Sequence, residues 1–355
     1  MARVLTLYLA RSVLVWIGLT CLLLLAVYTL IEVIREARSL TGDYGAVQVL
    51  WFLMQTTPRR LYDIFPFAAL IGTLLGLGAL ASANELVAMR VAGFDRRQLM
   101  ARVLLTVTVC LLLMMWMAEW LIPDLEARAR AERQQARTGQ LHVGGAGQFW
   151  LRDGPYMLRL GEAVWIDQEQ LVFTDMLVYR LDPSMRPQAI ITAERGWHSG
   201  TDWQLIQVSW RELADGQVGR QDSAGLASAL TPGLFQAAVT RPRLLAMRDL
   251  YRMRSYLDRS GLDTGPYDQA FWSRIFFPLN VLAMVLIALP FVFRSARGGN
   301  QGAGLFIGVI LGLVFFVVSR LSAGMALLLP LPLWLSTMLP ALLIIAVSAV
   351  LMRRF

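Results

Sequence analysis

Lysine does not occur in this chain of 355 residues, so all 33 of its basic residues are arginines. Because a nucleotide-binding P-loop and a Schiff-base nucleophile both need a lysine, the chain is not expected to hydrolyse ATP itself or to form such an intermediate. Cysteine and histidine are scarce, at two each, which argues against a disulfide framework and a zinc site. Charged residues make up only 16% of the chain, fewer than in a typical soluble domain.

Apolar residues, in contrast, occur in long runs. They make up 56% of the chain, and the mean hydropathy is +0.53. A run of about 20 residues crosses a hydrocarbon layer of roughly 30 Å as a helix. We expect Pro123 to end the third such helix, and Pro278 and Pro290 to kink or shorten the fourth. Six membrane helices are predicted, at about 12–34, 64–83, 99–122, 271–293, 304–329 and 333–352.

The segment between the third and fourth runs has a different pattern. From 148 to 213 it alternates apolar and polar residues in short stretches separated by turn clusters, which is typical of a β-sandwich, a jelly roll or an open barrel. A helix is predicted over 248–262, with Gly261 at its end. The predicted fold is an α-helical polytopic membrane protein, with three helices in 1–123, a β-rich domain and linker helix in 124–269, and three helices in 270–355.

Arginines at the helix ends predict the orientation of the chain. Most short loops satisfy the positive-inside rule if both termini lie inside and 124–269 lies outside. The exception is the first outside loop, which holds Arg35, Arg38, Arg59 and Arg60. Arg128, Arg130 and Arg133 lie just beyond the third helix, at the same membrane face, and we call these seven residues the outer arginines.

Two explanations of the outer arginines remain open. Guanidinium groups bind phosphate in a bidentate manner, so the set suits a phosphorylated lipid headgroup at the membrane surface. Alternatively, the arginines pair locally with carboxylates that are close in sequence, namely Glu36, Asp43, Asp63, Glu126 and Glu132.

The segment 84–94, between the second and third helices, predicts a short helix at the inner membrane surface. Glu85 leads it, and Leu86, Met89 and Ala92 or Gly93 form an apolar stripe at spacings of three and four. Such a helix could dock into a groove of a soluble partner, or it could simply join two spans.

No catalytic residue, metal site or bound cofactor is predicted. Ser199, His198 and Asp202 could form a hydrolytic triad, but no nucleophile motif accompanies them. Cys21 and Cys110 are expected to pack as small apolar residues. Glycines at four-residue spacing, at 72 and 76 and at 304, 308 and 312, allow helices to approach closely, either within the chain or between subunits.

Several of these segments also resemble a known family. They are NELVAMRVAGF at 84–94, FPFAALIG at 65–72, LGLG at 75–78, Glu119-Trp120, and WSRIFFP at 272–278. Together with the order of spans and β domain, they are similar to the LptF/LptG family, the membrane subunits of the bacterial lipopolysaccharide exporter. The likeness covers the whole chain and is greater to the LptG branch than to the LptF branch.

The resemblance implies a permease half of an ABC transporter in the bacterial inner membrane, with an inserted β-jelly-roll-like domain in the periplasm. It would extract lipopolysaccharide from the outer leaflet of that membrane. The implied partners are a cytoplasmic ATPase dimer (LptB-like), which binds the ATP, a sister permease (LptF-like) and a periplasmic bridge protein (LptC-like). The alternative from the residues alone is a membrane-anchored scaffold that moves no lipid.

The resemblance also implies roles for particular residues. Glu85 occupies the glutamate of the family's coupling helix, whose ATPase contacts would include Leu86, Met89, Arg90 and Gly93. Arg38, Arg59, Arg130 and Arg133 match basic positions of the family at the face that would bind lipopolysaccharide. From the residues themselves, Phe316 in the apolar fifth helix is expected to contact the acyl chains of the lipid. Glu32 departs from the family pattern, because some members carry a lysine there; Arg35, one helical turn away, would substitute for it.

Overall fold

The structure, a computed structural model, describes residues 2–38, 44–138, 141–142, 149–161, 163–166, 170–199, 202–228, 242–298, 301–325 and 332–354. The chain forms two compact units. The helical unit comprises Met1–Arg35, Thr56–Ile122 and Asp268–Phe355, and the sheet unit comprises Glu36–Gln55 and Pro123–Tyr267.

Helices form both ends of the chain, and one further helix follows the last strand, before the chain re-enters the helical unit at Asp268. Between Trp116 and Ile122 the helix widens into a π-helical turn, Met117–Leu121. In chain order the α-helices are α1 (Ala2–Ala37), α2 (Ala46–Ser82), α3 (Glu85–Val91), α4 (Arg96–Trp116), α5 (Ile122–Thr138), α6 (Met247–Arg259), α7 (Gly265–Ile275), α8 (Phe277–Gly298), α9 (Gln301–Met325) and α10 (Leu333–Arg354).

Three stretches of the described chain are long and apolar enough to cross a membrane: Arg3–Ala37, Ala46–Ser82 and Arg96–Arg133. The pair α7–α8 adds a fourth if the two bent helices count as one span. Shorter apolar stretches, Phe306–Ser319 and Leu333–Ser348, lie within α9 and α10. The structure thus confirms several apolar helices, whereas the number of six spans stays a prediction.

The second and third predicted helices are longer than expected. α2 begins at Ala46 and is continuous through Pro58 and Pro66, so the predicted start of the second helix at about residue 64 was wrong. Pro123 does not end the third helix either, because α5 continues the chain to Thr138. Pro123 follows the π-helical turn, Met117–Leu121, where the regular ladder of α-helical hydrogen bonds is already interrupted, so its missing N–H costs little.

The fourth predicted helix is broken close to Pro278, one of the two prolines that were expected to kink or shorten it. α7 and α8 are bent by 50° at Phe276, next to Pro278. Because Pro278 has no N–H, it cannot continue the ladder of helical hydrogen bonds across this point. Pro290 lies inside α8 without a second break.

The strands of the described chain form one eight-stranded antiparallel sheet, so its antiparallel β character is confirmed, but a jelly roll is not. β5 is central: its first part pairs with β4 and its last part with β3, while β6, β7 and β8 follow as a meander. The strands are β1 (Leu141–His142), β2 (Phe149–Asp153), β3 (Tyr156–Leu160), β4 (Ala163–Ile166), β5 (Gln170–Leu181), β6 (Pro187–His198), β7 (Asp202–Glu212) and β8 (Val218–Ala227).

The helix α6 packs against the sheet within the sheet unit. Its buried side chains Leu250, Met253 and Leu257 recur at spacings of three and four, as on one face of a helix. The Tyr256 ring contacts the sheet core, which includes Phe173 and Trp203. The predicted helix over 248–262 is therefore confirmed, and Gly261 follows it with φ +67.

Glycines in the helical unit serve internal packing. A Cβ at Gly72 would lie 2.5 Å from the Cα of Ile17, and one at Gly76 would lie 3.2 Å from the Cα of Val13. α2 therefore approaches the backbone of α1 closely, as small residues allow. On α9, Gly308 and Gly312 face Leu74 and Leu70 of α2.

Substitution of Gly72 tests this close approach. Gly72→Ala should lower the free energy of unfolding by about 1–3 kcal/mol, because the new methyl group meets backbone that has to shift. The matched control is Gly78→Ala in the same helix, where a Cβ would have no neighbour within 4 Å. Thermal unfolding of the full chain in detergent measures both variants, and equal melting temperatures would contradict the packing.

Candidate functional site

The segment predicted to couple to a partner folds as a seven-residue helix, α3, with a defined start and end. Asn84 precedes it with φ +59, and Gly93 follows it with φ +92, a conformation that favours glycine. Glu85 is its first residue, where the helix dipole stabilises a carboxylate. The Tyr8 side chain of α1 lies beside that carboxylate, while Oε2 of Glu85 is buried without a hydrogen-bond partner among the described residues.

The apolar stripe of α3 faces inwards. Leu86 and Met89 are 2% and 3% exposed and belong to the same core as Leu9 of α1. This differs from the interpretation of the stripe as a docking surface, because the chain's own helices already cover it. The exposed face of α3 carries instead Val87, Arg90 and Val91, of which Val91 is 86% exposed.

The outer arginines of the helical unit are paired locally. Arg35 lies 3.0 Å from Glu32, and Arg59 lies 3.2 Å from Asp63, each within one turn of its helix. Arg60 is buried and donates a hydrogen bond to Thr56 Oγ1 at 2.6 Å. The Arg35 side chain is 68% exposed, so its ion pair contributes little stability and is easily exchanged for another anion.

The sheet unit contains a more buried ion pair. The carboxylate of Glu36 is 3% exposed and lies 2.8 Å from Arg133. The Tyr44 hydroxyl donates to Glu36 at 3.2 Å, and the Arg133 guanidinium lies over the ring of Phe52. Tyr44, Phe52 and Arg133 also line a small cavity of about 180 Å³. Arg133 is thus held on one side by a carboxylate and on the other by an aromatic ring.

The remaining outer arginines of the sheet unit differ in their partners. Arg130 pairs with Glu126 at 2.9 Å. Arg38 and Arg128 are exposed and make no ion pair with any residue that the structure describes. Asp43, which was considered as a partner, lies outside the described residues. Pairs within one helix therefore account for Arg35, Arg59 and Arg130. Arg133 pairs with Glu36 across 97 positions, and Arg38 and Arg128 have no described ion pair.

Phe316 lies within the helical unit, on α9. Its ring meets that of Phe67 on α2, with 4.5 Å between the ring centroids. Phe67 belongs to the FPFAALIG segment, so the structure brings two of the segments singled out in the sequence into contact. Leu313 and Val317, on neighbouring turns of α9, are about half exposed.

Sequence reasoning missed a polar cluster inside the helical unit. Arg274 of α7 lies 4.0 Å from Glu119 of the π-helical turn, and its side chain is only 12% exposed. It also contacts the side chain of Tyr62 on α2, whose ring stacks on Phe277 at 4.3 Å. The available signal was a pair of opposite charges at the ends of two apolar runs, both inside segments that match the family.

The sheet unit shows no hydrolytic triad among its described residues. Ser199 Oγ donates to the main-chain oxygen of Asp202 at 3.0 Å, whereas His198 Nε2 lies 2.8 Å from Ser228 Oγ. Ser228 in turn donates to the buried carboxylate of Asp153, at 2.6 Å. Burial lowers the pKa of His198 below its ordinary value, so the ring is neutral at pH 7. The arrangement ties β8 to β2 and contains no activated nucleophile.

The described residues hold no group of metal ligands. Cys21 and Cys110 are both free and pack against the apolar core, as expected.

Long apolar helices that pack through glycines, joined to an antiparallel sheet unit, define a multi-pass membrane protein. The sequence model of the family described as lipopolysaccharide export system permease LptF/LptG matches residues 7–354. The chain belongs to this family.

Two named relatives support the assignment along nearly the whole length. The chain is 30% identical over 343 residues to the lipopolysaccharide export system permease protein LptG of Haemophilus influenzae, covering 95% of each chain. It is also 30% identical over 353 residues to the protein of the same name from Escherichia coli K12, covering 98% of this chain and 97% of that protein.

The pair of Arg133 and Glu36 gives a stability prediction. Arg133→Met should lower the free energy of unfolding by about 3 kcal/mol, because it removes the guanidinium group that lies 2.8 Å from the buried Glu36 carboxylate. Arg128→Met is the matched control, since Arg128 is exposed and has no described ion pair. Denaturant titration of the full chain in detergent compares them; an equal, small effect of both would show that Arg133 is not needed to hold Glu36.

Proposed function

We propose that this chain is the permease subunit that moves lipopolysaccharide out of the inner membrane towards the outer membrane, driven by ATP hydrolysis in a partner. The observation that carries the proposal is the family match across residues 7–354. The names of the two LptG relatives support it. The chain contains no lysine, so it has no P-loop of its own, and the energy has to come from a second protein.

Energy transfer would use α3. Its buried residues Leu86 and Met89 anchor the helix to the core, so that a push on α3 is passed to the bundle. Its exposed residues Val87, Arg90 and Val91 are the contact surface for a soluble ATPase dimer. Glu85 joins the two faces, because its side chain is half-buried beside Tyr8. Gly93 lets the chain turn directly from α3 towards α4.

Headgroup binding would use the outer arginines. Arg38 has no described counter-ion and is the residue most available to a phosphate group. Arg35 and Arg59 would exchange surface carboxylates for phosphate. Arg130 and Arg133 are given the same role by the family resemblance alone. Glu32 pairs with Arg35, so its carboxylate would stay beside the incoming phosphate. Arg35 would therefore bind phosphate less tightly than the lysine that some family members carry in place of Glu32. Phe316 and Phe67 would contact the acyl chains.

The proposed topology has six spans, both termini in the cytoplasm and the sheet unit in the periplasm. The distribution of arginines supports it through the positive-inside rule. The sister permease would be LptF-like, the ATPase LptB-like and the periplasmic bridge protein LptC-like. The rival, a scaffold without transport, shares the same topology but predicts no ATPase on α3.

The exposed face of α3 can be tested separately from its buried face. Val91→Glu should abolish binding of the ATPase and lipopolysaccharide-stimulated hydrolysis, while the permease remains folded, because Val91 contacts solvent. Leu86→Ala, the comparison variant, should lower the melting temperature, because it opens a cavity in the core. Co-purification and hydrolysis assays measure the first effect. Normal ATPase binding by folded Val91→Glu would refute α3 as the docking element.

A further inference from the structure

An open cavity of about 330 Å³ lies between the beginning of α1 and the beginning of α4, within the helical unit. Its lining combines two guanidinium groups with mainly apolar surface: Arg3, Thr6, Leu7, Ala10 and Arg102. None of these residues belongs to the outer arginines or to α3. Arg35 is 32 residues further along α1 than Arg3, which is roughly 50 Å at 1.5 Å per residue.

The two arginines of the cavity have no counter-ion among the described residues. Arg3 is exposed, and Arg102 lies over the ring of Phe94 at 4.0 Å without an ion pair. Two like charges that line one cavity repel each other. A bound phosphate removes this repulsion and accepts hydrogen bonds from both guanidinium groups.

The cavity lies where two candidate spans begin. Arg3 is the first residue of one span, and Arg102 is the seventh residue of the span that starts at Arg96. Arg102 therefore lies about 9 Å along the helix from the start of this span, and a long arginine side chain near a span end can extend to the headgroup layer. Next to the arginines, α1 exposes Val4 and Leu7, which are 71% and 73% exposed.

We propose that this cavity binds an anionic phospholipid, with the headgroup phosphate between Arg3 and Arg102 and an acyl chain along the exposed apolar face of α1. Basic pockets between membrane helices take such headgroups. A free phosphate would satisfy the arginines but would leave Val4 and Leu7 uncovered, so the lipid fits the whole surface better. The proposal depends only on the cavity and the span ends, and it holds whether or not the chain transports lipopolysaccharide.

The test measures lipid affinity of the full chain in detergent by native mass spectrometry. Phosphatidylglycerol is compared with phosphatidylcholine of the same acyl chains, for wild type, Arg3→Gln, Arg102→Gln and the double variant. Each single substitution should lower phosphatidylglycerol affinity about fivefold, and phosphatidylcholine binding should not change. The control is Arg97→Gln, an exposed arginine in the first turn of α4 that does not line the cavity.

Three results would overturn the proposal. The first is equal phosphatidylglycerol affinity of wild type and the double variant, or an equal loss in Arg97→Gln. The second is complete displacement of the lipid by excess inorganic phosphate, which would assign the site to free phosphate. The third is a double variant that binds phosphatidylglycerol as tightly as wild type but no longer binds an acidic soluble protein. Arg3→Gln keeps the test decisive even if Arg102→Gln disturbs the contact with Phe94.

Discussion

The helical unit is organised by the close contact between α1 and α2 at Gly72. Because a Cβ there would lie 2.5 Å from the Ile17 Cα, only a glycine permits this approach of the two backbones. The contact holds the first turns of α1 beside the loop that follows α2, where Tyr8 meets Glu85. The same arrangement places Arg3 beside Arg102 and buries Leu86 and Met89 with Leu9. The geometry of the proposed coupling element therefore depends on a helix crossing some distance from it.

Apolar run length and strand alternation predicted the elements of the fold but not their boundaries. Apolar runs of about 20 residues predicted the helices, and the alternation in 148–213 predicted the antiparallel sheet. Both patterns arise because the side chains that are buried recur at short, regular intervals along the sequence. The predicted boundaries were wrong at the start of the second helix, which α2 extends back through Pro58 to Ala46, and at Pro123, which lies inside a helix instead of ending it. Whether a proline ends a helix depends on the packing around it, and that is not a local property of the sequence.

The candidate site was also predicted only in part, because the packing around it is not a local property of the sequence. The position of Glu85 at the start of a short helix followed from the residues around it. Which face of α3 is buried did not, because Leu86 and Val87 are both apolar and only the neighbouring helices distinguish them. The buried pair of Glu36 and Arg133 joins residues 97 positions apart, and the contact of Arg274 with Glu119 likewise required the tertiary structure. Charge and hydropathy patterns contain no information on such long-range partners.

The central claim, that the helical unit carries lipopolysaccharide, is tested most directly at Phe316. A photo-crosslinking residue at this position should capture lipopolysaccharide in native membranes, and the yield should fall when ATP drives export. Val314, two residues along α9 and therefore on a different face, serves as the control and should capture phospholipid or protein instead. Capture of protein alone at Phe316, with no lipopolysaccharide before or after ATP addition, would contradict the proposed permease function and would favour a scaffold that moves no lipid.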